Sequence, residues 1–351
     1  MLIAALRDLQ WRRRRFMIAI AGTALVFGMT LLMTGISHGF DAEATATVRA
    51  LRADAWVVRA GAAGPFLGSS PMAQSEAAAI AAMPGVTAAS PTIFTRKSVR
   101  SASGAEIDVN IIGAVPGGVG MPSPDSGRAP RAPGEVMIST RLAGHHIGES
   151  IQLAGFRLQV VGTVTGSTAL AGTPNVFLTL DEVQAIGFGG QPIASAIAIR
   201  GMPAQLPPGF VLMRTPAARA DLLRAIAKAR SSLVLVSVLL WIVAASIIGA
   251  VVYLSALERQ RDFAVFKATG VPTRSILGGM VLQAAVLSVV AALFGSVIAM
   301  FIGPRFPMIV SIELRAHLLL PLIAIGVALV ASLAGLRRVV AVDPALAFGG
   351  A

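Results

Sequence analysis

Five charged side chains fall between Glu258 and Lys267 in a chain where charge is scarce: Glu258, Arg259, Arg261, Asp262 and Lys267. Phe263, Val265 and Phe266 are interleaved with them, and Gly270 closes the run. Read as a helix, the run places Glu258 and Asp262 at i and i+4, on one face, with Arg259 and Arg261 flanking them. Phe263 and Phe266 are then apolar anchors. Both charge signs and two aromatic rings on a short amphipathic helix suit docking into a groove on a partner protein. A plain loop of solvated charges needs neither two Phe residues nor two acids. Gly270 is placed to end the helix, and Val271-Pro272-Thr273-Arg274 to turn the chain.

Residues for bond-making chemistry are sparse. A phosphate-binding loop needs Gly-x4-Gly-Lys-Ser/Thr, and none of Lys97, Lys228 and Lys267, the only lysines, sits in that pattern. The zinc-protease pattern His-Glu-x-x-His and the nucleophile-elbow pattern Gly-x-Ser-x-Gly do not occur. His145-His146 is the only histidine pair. Adjacent side chains on a strand point to opposite faces, so the pair reads as surface loop residues, not joint metal ligands. No catalytic or metal site and no cofactor is expected in this chain.

The elements that must carry the charged run are membrane helices. The chain is 55% hydrophobic and 13% charged, against about 25% charged for a soluble domain. A spanning helix needs about 20 apolar residues. Phe16–Ile36, Leu233–Leu254, Ile276–Ile302 and Leu318–Leu336 qualify. The expected organisation is a cytoplasmic interfacial helix at 1–15, where Leu2, Leu6 and Leu9 share a face, and a first span at 16–36. An extracytoplasmic α+β domain with helical stalks follows at 37–232, then a second span at 233–257. The charged cytoplasmic segment occupies 258–275, a third span 276–303, a short outer loop 304–317, a fourth span 318–336, and a cytoplasmic tail 337–351. The fold class is thus four transmembrane α-helices, one plus three, with one α+β domain inserted.

The net charge of +12 is distributed as a topology signal. Arg7 and Arg12 to Arg15 precede the first span, Arg259, Arg261, Lys267 and Arg274 lie between the second and third, and Arg337 and Arg338 follow the fourth. That pattern puts both termini in the cytoplasm and argues against nucleic-acid binding. Arg12 to Arg15 and Ala42-Glu43-Ala44 also look like parts of a cleaved signal peptide. The apolar run exceeds the roughly 7–15 residues of such a segment, so an anchored span is preferred. Cysteine is absent, so packing alone holds the outer domain. Abundant Arg with little Lys reads as GC-rich bacterial coding, hence a bacterial plasma membrane.

Within the inserted region, strands are expected at Ala55–Arg59, Ala88–Thr95, Ile107–Gly113, Glu135–Ser139, Asn175–Thr179 and Ser195–Arg200. A hairpin is expected from Ser150–Leu153 to Phe156–Thr165 through Ala154-Gly155. Short helices are expected at Ser75–Met83, capped by Ser75, at Thr140–Gly144 and at Asp181–Ile186. Pro116 to Pro133 reads as a mobile lid or an insertion, and Gly201 to Pro208 as a linker. Thr215-Pro216 signals a helix start. One rod from Pro216 to Asp262 would be about 70 Å long at ~1.5 Å per residue, with a break near Ser231-Ser232 as the alternative. Phe66, Met72, Phe94 and Met121 are candidates for an apolar outer site, with buried core as their more ordinary role. The third span carries small residues at Ala291, Gly295, Ala299 and Gly303, and the fourth at Ala324, Ala328 and Ser332. Such stripes let helix backbones approach, within one chain or between subunits. No span has an ionisable residue near its centre, which argues against an ion-coupled transporter.

Residues 258–276, Glu-Arg-Gln-Arg-Asp-Phe-Ala-Val-Phe-Lys-Ala-Thr-Gly-Val-Pro-Thr-Arg-Ser-Ile, resemble the cytoplasmic coupling segment of FtsX-like, MacB-type ABC transporter permeases. Asp262 stands where that family usually has Glu, and Thr269 where it usually has Leu. Asp343-Pro344-Ala345-Leu346 resembles the family's C-terminal ending. Gly134–Ser139, Gly148–Leu153 and Leu158–Val164 are similar to its outer domain, and the compact size is closer to the short DevC- or HrtB-like members. The resemblance implies a homodimeric permease in membrane lipid served by a separate cytoplasmic ABC ATPase dimer that binds ATP and Mg. Glu258, Arg259, Arg261, Asp262, Phe263, Phe266, Lys267 and Gly270 would contact that ATPase. It further implies mechanotransmission through the long second helix and export or extraction of an apolar or amphipathic substrate, with an extracytoplasmic adaptor as a further partner. The alternative it carries is an FtsX-like regulator of a cell-wall hydrolase that transports nothing.

Overall fold

A computed structural model describes residues 13–67, 71–100, 106–306 and 308–340, without the side chains of Arg13, Arg15 and 332–340. The expected interfacial helix and the Asp343–Leu346 ending lie outside the described residues. The chain divides into two compact units, Met1–Gly39 with Ala229–Ala351, and Phe40–Lys228.

Among the described residues, four helices are long and apolar enough to cross a membrane. They are α1 (Arg13–Ala50), α5 (Ala227–Glu258), α7 (Thr273–Ile302) and α8 (Leu314–Val340). Each outruns its apolar window, since helix propensity continues into polar residues. The expected extension of the first span over Asp41–Leu51 is realised as the last turns of α1. One apolar core joins these helices, with Phe27, Ala244, Ile248, Leu287, Ala291 and Ala324 at its centre. Leu235, Leu239, Ile242, Leu318 and Leu322 remain exposed, as expected of faces turned to lipid.

The unit Phe40–Lys228 is built on a mixed eleven-stranded sheet, a separate two-stranded sheet (Met72–Ala73 with Ile193–Ala194) and three short helices. In chain order these are β1 (Ala55–Arg59), β2 (Met72–Ala73), α2 (Glu76–Ala81), β3 (Val86–Arg100), β4 (Glu106–Ala114) and β5 (Ser126–Gly127). β6 (Glu135–Ser139), β7 (Ser150–Leu153), β8 (Phe156–Val164), β9 (Thr168–Ala169), β10 (Thr173–Thr179) and α3 (Leu180–Phe188) follow. β11 (Ile193–Ala194), β12 (Ala196–Gly201), β13 (Phe210–Arg214) and α4 (Thr215–Arg224) complete it. β7 pairs with both β3 and β8, so β3, β4, β10, β6, β8 and β7 close into a ring. Closure leaves no open edge within the ring. Each ring strand sends alternate residues inward: Ile93 and Val99, Val109 and Ile111, Val176 and Leu178, Val136 and Ile138, Leu158 and Val160, Ile151 and Leu153 form one buried cluster. The opposite faces of β3, β4 and β10 carry Phe94, Ile112 and Phe177, which pack with Val48 of α1, with Leu51 just after it, and with Ala218 and Leu222 of α4.

Most expected strands are present, and several expectations are corrected. The hairpin turns at Ala154 (φ 50°) and Gly155 (φ 90°), a left-handed pair that matches strand twist. Thr140–Gly144 is a turn instead of a helix, because Thr140 N–H donates to Val164 O and Leu142 N–H to Ser139 O at the end of β6. Ser75 adopts helical backbone angles and makes no side-chain cap. Thr215 is itself helical, and its hydroxyl donates to Asp54 O. Phe210–Arg214, unassigned in the sequence reading, is an edge strand on β1. Pro116–Pro133 is no lid: Val119 and Met121 are buried in the core, and Val119 N–H donates to Ser90 Oγ. The single rod from Pro216 to Asp262 is interrupted at Ala225–Ile226, and again at Arg259. No Gly or Pro marks the first break. Tertiary anchoring of α4 through buried Ala218, Asp221 and Leu222 accompanies it.

Candidate coupling segment and the clasps of the inserted domain

The charged run folds as a short helix, α6 (Gln260–Ala268), set off from α5 by the non-helical Arg259 (φ −108°, ψ 17°). Phe263 N–H donates to Arg259 O at 2.9 Å, which restarts the helical ladder at once. Glu258 therefore ends one helix while Asp262 lies in the first turn of the next. They do not share a face of one helix, a departure from the i, i+4 reading. Asp262 favours the positive N-terminal end of α6, and its Oδ2 lies 3.7 Å from Arg259 Nε.

The far end of α6 is closed by a Schellman motif. Gly270 N–H donates to Lys267 O at 3.1 Å and Val271 N–H to Phe266 O at 2.9 Å. The motif requires a left-handed residue, and Gly270 supplies it at φ 82°. Phe266 and Val271, the hydrophobic pair that accompanies such a motif, both pack on the membrane-helix core.

Phe263 is corrected from a partner-facing anchor to an internal one. Its ring is 4% exposed and packed in the membrane-helix core, with the Arg259 guanidinium 5.6 Å from its centroid. Phe266 is half-buried against the same core. The aromatic residues thus fasten α6 to its own bundle, because both pack on the membrane-helix core. Glu258, Arg261, Asp262, Val265 and Gly270 are exposed, and Arg259 and Lys267 are half-buried. A rigidly held helix presents mixed charge and one branched apolar side chain.

The small-residue stripe packs inside one chain. Ala291, Gly295, Ala299 and Gly303 are all buried. A methyl group on Gly295 would meet Ala24 O at 2.8 Å and Gly28 N at 2.9 Å, and one on Gly28 would meet Gly295 O at 3.1 Å. The first and third membrane helices therefore touch backbone to backbone at this pair. Gly303 faces Val310 and Leu32. Ala324 and Ala328 are buried too.

Two buried acids, neither singled out by sequence reasoning, organise the inserted domain. Glu43 on α1 is 3% exposed. Its carboxyl group accepts Ala171 N–H at 3.0 Å and Gly172 N–H at 2.8 Å. Leu170 (φ 55°) and Ala171 (φ 70°) are left-handed there, a conformation disfavoured for residues with a Cβ. One turn on, Thr47 Oγ1 donates to Thr168 O at 2.7 Å. Asp221 on α4, 0% exposed, accepts Phe66 N–H at 2.8 Å and Leu67 N–H at 3.1 Å. Gly64 lies so close to Asp221 that no side chain fits. The only sequence signal for Glu43 is a carboxylate between two alanines, Ala42-Glu43-Ala44, which fits part of a cleavage-site pattern. Of the four candidates for an apolar outer site, Phe66 and Phe94 do line a cavity, whereas Met72 and Met121 are core residues. His146 pairs with Glu149 at 3.5 Å, and no metal-binding cluster occurs among the described residues.

Membrane-length helices in one-plus-three order, with an α+β domain inserted in the chain after the first and a held charged helix between the second and third, are the layout of a permease-type membrane protein. The family model for the MacB-like periplasmic core domain matches residues 16–225, and that for the FtsX-like permease C-terminal matches residues 234–344. The chain is similar to an uncharacterized ABC transporter permease of Mycobacterium tuberculosis, 52% identical over 350 residues and covering 100% of both chains. A second from the same species is 51% identical with the same coverage, and one from Mycobacterium bovis 52% identical. Among solved structures, the extracellular domain of the noncanonic ABC-type transporter YknZ from Gram-positive bacteria aligns with TM-score 0.35 and 11% identity, covering 46% of this chain and 99% of that one. The chain belongs to the MacB/FtsX-like family of ABC transporter permeases.

Proposed function

We propose that this permease couples ATP binding and hydrolysis in a separate cytoplasmic ABC ATPase dimer to conformational change in its inserted domain on the outer side of the membrane. Two copies of the chain would serve one ATPase dimer, with the termini and α6 on the cytoplasmic face, in agreement with the Arg distribution. ATP and Mg bind to the ATPase partner. The observation that carries the reading is α6: its aromatic side is committed to its own bundle, and Glu258, Arg261, Asp262 and Val265 face outward. A helix held at both ends can pass force; a loop of solvated charges cannot.

The break at Ala225–Ile226 moves the force path from the second membrane helix to the first. α1 is one unbroken helix of 38 residues that bears both Gly28 and Glu43. The work done on the outer side is export or extraction of an apolar or amphipathic substrate. The deciding experiment reconstitutes the permease with its ATPase. Glu258→Arg should leave the fold intact and lower permease-dependent ATP turnover by about tenfold or more, the effect of ~1.4 kcal/mol lost at the contact. Unchanged turnover in that variant would remove the docking assignment. A cell-wall hydrolase retained on the inserted domain, with no substrate-stimulated turnover, would favour a regulator.

A further inference from the structure

We infer that the inserted domain holds a binding site for a small amphiphile with one anionic head and one apolar tail. The site is a cavity of about 240 Å³ on the outer face of the closed strand ring, bordered by Thr47 of α1 and Leu222 of α4. Its shape in chemical terms follows from strand register. Arg96 of β3 pairs with Asn110 of β4, and Asn110 with Asn175 of β10. One row across three strands is therefore polar. The neighbouring row pairs Phe94 with Ile112 and Ile112 with Phe177, and is wholly apolar. Phe66, whose ring meets Phe94 edge-on at 4.4 Å, and Leu170 extend the apolar wall.

The polar row is built, not incidental. Asn175 is 0% and Asn110 8% exposed. Asn110 Nδ2 donates to Ala169 O at 3.1 Å and lies 3.3 Å from both Thr173 O and Asn175 Oδ1. Asn175 Nδ2 donates to Ser167 Oγ at 3.1 Å. With its amide thus fixed, Asn110 Oδ1 accepts from Arg96 Nε at 3.4 Å. That contact orients the guanidinium and leaves its two terminal nitrogens for a ligand. Arg96 is solvent-exposed, so the charge stands at the opening with the apolar wall behind it. Among the described residues the lining contains no carboxylate. A single oriented guanidinium selects a carboxylate or phosphate head. The volume sits just under the roughly 300–1,000 Å³ of drug-sized pockets and above the ~150 Å³ that admits benzene. It suits one medium-length chain, not a two-chain lipid.

Both rims of the cavity are gripped by helices, of which α1 continues into a membrane segment of the sequence while α4 ends at Arg224. Leu170 lies in the loop clasped by Glu43 and Thr47, and Phe66 and Leu67 in the loop clasped by Asp221. Occupancy would therefore bear on α1 and α4. That consequence rests on the proposed coupling, whereas binding itself does not.

The test uses the full chain in lipid nanodiscs and a diazirine-bearing decanoate as photoreactive probe, with crosslinks mapped by peptide mass spectrometry. Crosslinks should fall on the Phe66–Leu67 and Leu170 segments. Unlabelled decanoate and decyl phosphate should compete, their order giving the preferred head, and decyltrimethylammonium should not. Ala225→Trp, at an exposed position of the lining, should block the opening and cut labelling at least tenfold. Arg96→Met should do the same, with partial recovery in Arg96→Lys. Crosslinks confined to the membrane helices, labelling indifferent to Ala225→Trp and Arg96→Met, or equal competition by the cation would overturn the site. Site labelling without any response of ATP turnover in the reconstituted complex would leave the site standing and count against the coupling reading alone.

Discussion

Gly295 and Gly279 lie on the same membrane helix, and replacing each by alanine should have opposite effects. A methyl group at Gly279 meets nothing within 4 Å. Gly279→Ala then removes backbone freedom from a helix interior and should stabilise by about 0.5–1 kcal/mol. At Gly295 the methyl would sit 2.8 Å from Ala24 O, 2.9 Å from Gly28 N and 2.9 Å from Phe27 Cβ. Ordinary contact needs about 3.5–4.0 Å. Two of these three atoms are backbone in the middle of α1, so no rotamer change relieves the clash. The first and third helices must separate by several tenths of an ångström. Overpacking of this kind costs about 1–3 kcal/mol, which exceeds the propensity gain. The propensity gain is common to both variants, so the expected difference between them is the overpacking cost, about 1–3 kcal/mol. Equilibrium unfolding in mixed detergent–dodecyl sulfate micelles, followed by circular dichroism, measures it. Equal stability of Gly295→Ala and Gly279→Ala would refute the reasoning and show that these backbones do not touch in the folded chain.

Three further outcomes are expected. Glu43→Ala should leave Ala171 and Gly172 N–H without their acceptor; at ~1–3 kcal/mol per lost partner, about 3 kcal/mol of local protection is lost. Amide exchange at those two positions should then accelerate about a hundredfold, since every ~1.4 kcal/mol is tenfold, while β12 is unchanged. Gly270→Ala places a Cβ at φ 82° and should cost about 1–2 kcal/mol, seen as faster exchange at Val271 and as reduced permease-dependent ATP turnover. The Glu135 carboxyl is held down from 4.5 to about 2, first by the Arg128 guanidinium and then by the Arg131 and Ala132 N–H groups against the opposing effect of burial. Because the folded value is depressed, its stabilisation is complete above pH about 4.5 and is lost as pH falls towards 2. The thermal midpoint of Arg128→Met should therefore fall less than that of the natural chain over that window.

Legibility followed the reach of the interactions. The spans were readable because roughly 20 apolar residues in a row have few other uses. The Ala154-Gly155 hairpin was readable because its turn chemistry is local. Gly270 was readable as a helix stop for the same reason. The closed ring was not, since it depends on β7 meeting both β3 and β8, and no local pattern encodes that pairing. Phe263 was misread for a related reason: an aromatic residue in a charged helix looks the same in sequence whether it faces a partner or the helices beside it. The clasps of Glu43 and Asp221 join residues more than a hundred positions apart, and nothing near either acid hints at its acceptor role. Phe66 and Phe94 were named as candidates, but their meeting with Arg96 and Asn110 emerges only from register.

The two clasps also differ in a way that bears on how the chain works. Glu43 and Thr47 grip residues 168–172 from α1, which runs without interruption from Arg13 to Ala50. Asp221 grips residues 66–67 from α4, which ends at Arg224 before the next helix starts at Ala227. An unbroken helix transmits rotation and axial displacement along its length; a helix interrupted by two residues can flex there. Under the proposed coupling, motion of the first membrane helix reaches the Leu170 rim directly, while the Phe66 rim stays with its own domain. The two rims would then move relative to one another, and the cavity between them would change volume. That asymmetry makes the first helix, not the second, the place to look for uncoupling variants. A pair of glycines at Arg49 and Ala50, which soften the end of α1 after Thr47 without removing a buried side chain, should be silent. The same pair at Ala42 and Ala44, flanking Glu43, should abolish substrate-dependent ATP turnover while leaving the domain folded.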